Sequence, residues 1–139
     1  MATTAAQASP RLTAVALPGI PGSVPAARRH VRDALGLYGL GEYAADAATV
    51  TSELAGNAVR HACGNGAATI GVTLMCAGSP PAVTILVSDS CSQGPVRRET
   101  PADDEQGRRL QIVEALSIHW GWRCEDGGKT VFAVLAREA

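Results

Sequence analysis

Thr51-Ser52-Glu53-Leu54-Ala55-Gly56-Asn57-Ala58-Val59-Arg60-His61-Ala62 is the stretch that decides the reading of this chain. It closes an apolar run that begins near Glu42 and includes Ala44, Ala45, Ala47, Ala48 and Val50. The pattern predicts a helix over 42–62, stopped by the glycine-bearing Cys63-Gly64-Asn65-Gly66. Within it Glu53, Asn57 and His61 recur every four residues. Steps of four advance about 40° past a full turn, so the three share one narrow stripe. On a helix that is apolar elsewhere, a polar stripe faces either water or a lined pocket, and spacing leaves both open. In a pocket, a carboxylate can polarise a hydroxyl or water, and an amide oxygen suits a hard cation such as Mg²⁺.

Toward the N-terminus, Arg11 to Leu17 alternates as a strand does, and Pro18-Gly19-Ile20-Pro21-Gly22 supplies turn punctuation. Ser23 is the expected N-cap of a first helix that runs to about Leu37. Val24, Ala27, Val31, Ala34 and Leu35 form its apolar stripe. Residues 1–10 read as a disordered tail, and 11–139 as one domain.

Toward the C-terminus, strands over 67–76 and 82–89 flank Ala77-Gly78-Ser79-Pro80-Pro81, a turn that suits an antiparallel hairpin. Residues 90–106 read as a functional loop. A third helix is expected over 107–117, then a second hairpin from 119–124 and 129–136. The order β, α, α, β, β, α, β, β predicts an α+β fold. It is a two-layer sandwich with a mixed, mostly antiparallel sheet and its helices on one face.

Two more positions carry chemistry. Asp89 follows Val83, Ile85 and Val87 in alternation, which points it to the covered face of the sheet. There it would accept hydrogen bonds from a ligand amine, or cap the next turn. Gly107-Arg108-Arg109-Leu110 opens the third helix, and a glycine with arginines at a helix N-terminus suits phosphate. Gly128-Lys129-Thr130 is no P-loop, because the earlier glycine position holds Arg123 and a strand follows.

Composition narrows the function classes. The 139 residues carry 12 basic and 13 acidic side chains, a net charge of −1, without the electrostatic footprint of a nucleic-acid binder. Aromatics make up 4%, too few for a base-stacking platform, and Trp120, Trp122 and Phe132 fall in the C-terminal hairpin. No apolar run approaches the ~18 residues of a membrane span. Cys63, Cys76, Cys91 and Cys124 form no C-x-x-C pair and read as cytosolic thiols, with a zinc site disfavoured. A cytoplasmic location is the expectation.

Taken together, Thr51 to Ala62 resembles the N-box of the GHKL (Bergerat-fold) ATPases, and most of all that of the small bacterial anti-sigma-factor serine/threonine kinases. The order of Asp89, Pro95, Gly107 to Leu110, Trp120-Gly121 and Gly128 to Thr130 is similar too. The resemblance implies ATP and Mg²⁺ as cofactors. It implies Glu53 as general base and Asn57 as the Mg²⁺ ligand, with Arg60 and His61 beside the nucleotide. It further implies Asp89 on the adenine amine with Thr130 beside it, Gly107, Arg108, Arg109 and Leu110 on the phosphate side, and residues 90–106 as an ATP lid. The implied partners are a sigma factor and an anti-sigma antagonist protein, with no direct nucleic acid and no membrane. A homodimer is common in the family.

The chain departs from the family pattern at two places. Asp89-Ser90-Cys91-Ser92-Gln93 lacks the glycines expected after the aspartate, and Arg109 replaces the second glycine of the phosphate loop. Two readings follow: a protein serine/threonine kinase that controls transcription by partner switching, or a degenerate ATP-sensing or purely protein-binding regulator of the same fold.

Overall fold

A computed structural model describes residues 10–60, 68–89, 104–125 and 128–136; for 104–109 and 125 the description is of the backbone. The expected N-terminal tail (in residues 1–9), His61, the cysteines at 63 and 91, and residues 90–103 of the expected lid lie outside these segments. The elements are β1 (Arg11–Pro18), α1 (Ser23–Leu37), a 3-10 turn (Gly41–Tyr43), α2 (Ala44–Arg60), β2 (Thr69–Ala77), β3 (Ala82–Asp89), α3 (Asp104–Leu116), β4 (His119–Glu125) and β5 (Gly128–Ala136).

All five strands form one sheet in the order β1-β2-β3-β5-β4, antiparallel at every pairing. The α+β, two-layer expectation holds, and the sheet has no parallel pair. Alternation decides its two faces. Ile70, Val72, Leu74 and Cys76 of β2 are buried, as are Val83, Ile85, Val87 and Asp89 of β3 and Val131, Ala133 and Leu135 of β5. Their neighbours in sequence are only half-covered. The covered face meets Ala27, Val31 and Leu35 of α1, Val50, Leu54 and Ala58 of α2, and Val113 of α3 in a single core. Full burial of one such side chain contributes about 1.5–3 kcal/mol.

All three helix starts differ from the sequence reading. Ser23 is the first helical residue rather than the N-cap, which is Gly22. Its hydroxyl donates to the Pro18 carbonyl at 2.6 Å and clamps the strand-to-helix turn. The second helix begins at Ala44, because Gly41 to Tyr43 winds more tightly as a 3-10 turn. The third helix begins at Asp104, three residues before Gly107. Asp104 and Glu105 suit the positive end of a helix dipole, which arginines do not.

One bond fixes how α2 lies along the sheet. The Tyr43 hydroxyl donates to the Pro81 carbonyl at 2.9 Å, which pins the start of α2 to the β2–β3 hairpin. From Ala44 to Asn57 the helix rises about 20 Å, at about 1.5 Å per residue. From Ala82 to Asp89 the strand covers about 23 Å, at about 3.3 Å per residue. The last turns of α2 therefore come level with Asp89, at the far end of β3.

Thr51 is a local fault in this packing. It is fully buried, and its hydroxyl has no hydrogen-bond partner. An unsatisfied buried hydroxyl costs about 1–3 kcal/mol, and valine matches the shape without the polar atom. Thr51→Val is expected to raise stability by about 1 kcal/mol, read as a higher urea midpoint at unchanged slope. A lower midpoint would refute the assignment.

Candidate functional site

The candidate site lies between the layers, where the C-terminal turns of α2 reach the end of β3. Asn57 sits on the inward side of α2 with Leu54 and Ala58 and is 5% exposed. Asp89 ends the covered row of β3 and is 9% exposed. These are the two buried amide or acidic side chains among the described residues, one on the helix layer and one on the covered face of the sheet. Each is engaged in interactions within the protein. Glu53, one turn before Asn57, is half-buried. Of the two described members of the polar stripe, Asn57 thus turns toward the core and Glu53 stands at its edge.

α1 steadies this part of α2 from outside. The Arg28 guanidinium donates from Nη1 to Ser52 Oγ at 2.9 Å, and Ser52 Oγ in turn donates to the Ala48 carbonyl at 3.0 Å. The bond ties the two helices together next to Glu53, so the Glu53 backbone is held by two elements.

The remaining sequence-predicted positions are placed as follows. Arg60 is exposed in the last turn of α2. Leu110 is half-buried in α3. Gly107, Arg108 and Arg109 have helical backbone inside α3. A right-handed helix needs negative φ, so position 109 imposes no glycine-only conformation. Gly107 does not open the helix, as the sequence reading had it; it is the fourth helical residue. The unpaired N–H groups there belong to residues 104–107.

Thr130 requires a correction. It pairs with Ser88, and Asp89 pairs with Lys129. Cross-strand partners share a face, so the Thr130 side chain leaves on the side of the sheet away from Asp89. The residue beside Asp89 on the covered face is Lys129, in phase with Val131, Ala133 and Leu135. Cys124 continues the row on β4. Sequence reasoning missed Lys129, although counting back by twos from Leu135 would have found it.

Gly128 also belongs to the site. A Cβ there would overlap the Asp89 carbonyl oxygen, and Asp89 Oδ1 would stand 3.6 Å away. The missing side chain is what lets the start of β5 close on Asp89.

A different opening lies at the opposite end of the sheet. It is a cleft of about 160 Å³ lined by residues that include Arg11, Tyr38 and Cys76. The Arg11 guanidinium stacks over the Tyr38 ring at 5.3 Å and donates to the Tyr38 carbonyl at 2.8 Å. Burial pushes the Cys76 thiol up from its ordinary pKa, against a smaller opposing pull from Arg11. A protonated, buried thiol behaves as a small hydrophobe.

As oxygen donors, Asn57 and Glu53 fit a hard cation such as Mg²⁺. Asp89 fits a base that offers an N–H edge. No helix among the described residues is long and apolar enough to cross a membrane. No curated protein matches the chain significantly. The model of the histidine kinase-like ATPase domain, however, matches residues 17–135, from the end of β1 to the penultimate residue of β5. That span holds Glu53, Asn57, Asp89 and the β3–β5 pairing, and the chain belongs to the histidine kinase-like ATPase domain family.

Proposed function

We propose that this protein is an ATP- and Mg²⁺-dependent serine/threonine kinase of the anti-sigma type, acting by partner switching in the cytoplasm. It would hold a sigma factor and phosphorylate a serine on a small antagonist protein. The observation that carries the reading is the pairing of a buried Asn57 with a half-buried Glu53 one helical turn away, inside a domain of the ATPase family. In such a transfer the serine oxygen bonds to the γ-phosphorus and the bond to the β–γ bridging oxygen breaks. ADP leaves, and the serine proton passes to Glu53. Asn57 would hold the metal, whose charge offsets that of the phosphates. Asp89 would fix the base, and Gly107, Arg108, Arg109 and Leu110 would lie on the phosphate side.

Little covalent chemistry is asked of the protein, so positioning and charge supply most of the rate. Glu53→Gln keeps the shape and removes the base. Its expected effect is a fall in phosphorylation of a genuine partner by about 10²–10⁴-fold, with ATP affinity kept within about threefold. Radiolabelled ATP and titration calorimetry read the two quantities separately. Undiminished phosphorylation would remove Glu53 from the role.

A second reading rests on Asp89-Ser90-Cys91-Ser92-Gln93, which has no glycine after the aspartate. In that reading the domain senses ATP or holds partners by contact alone. Partner binding that survives both Glu53→Gln and Asn57→Ala, in a wild-type protein that transfers no phosphate, would favour it.

A further inference from the structure

The register of β3 and β5 places a cation where the site meets the base. Asp89 and Lys129 are directly opposed across the strands and share the covered face. Opposed side chains of this kind have Cβ atoms about 4.5–5.5 Å apart. Gly128, pressed against the Asp89 carbonyl, keeps the two strands close at this point. Lys129 is half-buried, so the apolar stem of the side chain runs along the covered face. The covered face thus carries an acceptor-only side chain and a donor-only side chain at opposed positions of β3 and β5.

We propose that Lys129 widens the base specificity of this site, so that it takes guanine nucleotides as well as adenine nucleotides. The inference rests on the nucleotide-binding reading above. The chemistry is in the edges of the two purines. Adenine offers an amine to Asp89 and a ring nitrogen that accepts. Guanine in the same pose brings its O6 carbonyl toward the carboxylate, and two acceptors facing each other repel. A carboxylate alone therefore rejects guanine. An ammonium beside it changes the sign of that contact. Shifted along its edge, guanine gives O6 to Lys129 while Asp89 accepts from the N1–H and amine. With adenine, Lys129 donates to the ring nitrogen instead. Both bases leave the acceptor and the donor paired, and the basis for strict discrimination is gone.

Lys129 acts here as a specificity residue, so the decisive quantity is a ratio of affinities. The experiment is calorimetric titration of the full chain with ATP and with GTP, each with Mg²⁺, in wild type, Lys129→Thr and Lys129→Arg. Position 129 lies on a strand, where threonine is well accommodated, and thermal melts check folding. Wild type is expected to bind GTP within about tenfold of ATP. Lys129→Thr is expected to weaken GTP relative to ATP by a further factor of roughly ten or more, since a charge-assisted bond is lost on one base and a repulsion returns. Lys129→Arg keeps a cation in place and should keep the wild-type ratio. A folded Lys129→Thr with an unchanged GTP-to-ATP ratio overturns the proposal and leaves the ATP reading intact, provided Asn57→Ala still weakens Mg²⁺-dependent ATP binding. Wild type that binds neither nucleotide at millimolar concentration overturns both.

Discussion

Asn57→Ala is expected to lower affinity for ATP in the presence of Mg²⁺ by about 100-fold or more, with the fold retained. Asn57 is the buried amide in the last turns of α2, and a buried amide is kept in a core only where it has partners. Alanine removes the oxygen that would meet the metal and strands whatever the amide pairs with inside the protein. Outer-shell changes at metal sites already cost about 10–100-fold, and loss of the ligand itself exceeds that. The control is ATP with EDTA: the difference between wild type and variant should shrink when the metal is withheld. A variant that melts near wild type and binds ATP–Mg²⁺ with unchanged affinity would take Asn57 out of the site.

Gly128→Ala is expected to have the larger effect on stability. The added methyl overlaps the main-chain carbonyl of Asp89, which cannot rotate aside as a side chain would. Relief requires the end of β3 and the start of β5 to separate. Overpacking of this kind costs about 1–3 kcal/mol, and a backbone obstacle sits at the upper end. That corresponds to a drop in Tm of roughly 5–10 °C for a domain of this size. Gly36→Ala is the internal comparison: it lies in α1 with nothing near the new methyl, and should gain about 0.5–1 kcal/mol. If both alanines melt like wild type, the close approach of β5 to Asp89 is wrong.

The fold was legible where hydrophobic period and chain punctuation agreed. The alternation of Val83, Ile85 and Val87 carried Asp89 onto the covered face, and the structure places it there. The stripe of Ala27, Val31, Ala34 and Leu35 is the buried side of α1. Antiparallel pairing followed from strands that come in neighbouring pairs. The errors fell where local chemistry has two outlets. Ser23 has the side chain of a cap, but its hydroxyl reaches back to Pro18 instead of forward to the helix N–H groups. Gly107 looks like a helix start, yet the helix begins three residues earlier, at Asp104.

The site was partly legible for the same reason. Spacing put Glu53 and Asn57 on one stripe, and tertiary packing buries Asn57 while leaving Glu53 half-buried. The bond from Tyr43 to Pro81 ties the start of α2 to the β2–β3 hairpin, and no local pattern encodes that bond. The order of the motif alone puts Thr130 beside Asp89. The strand period assigns that position to Lys129. A pattern of residue types gives order along the chain, whereas a strand places alternate residues on opposite sides of the molecule.

The strand order has a consequence for folding. β2 with β3, and β4 with β5, are local hairpins that close over short loops. The seam between β3 and β5 joins residues 89 and 129, far apart in sequence, and such pairings carry the greater loop-closure cost and form late. Asp89 and Lys129 face each other across that seam. A chain with both hairpins formed but unjoined has neither the base end of the site nor the Gly128 contact. Any ligand that needs both residues therefore binds only the fully joined sheet. At about 100 times its Kd it would add about 2.7 kcal/mol to the stability of that state. Occupancy and the final step of folding are the same event seen from two sides.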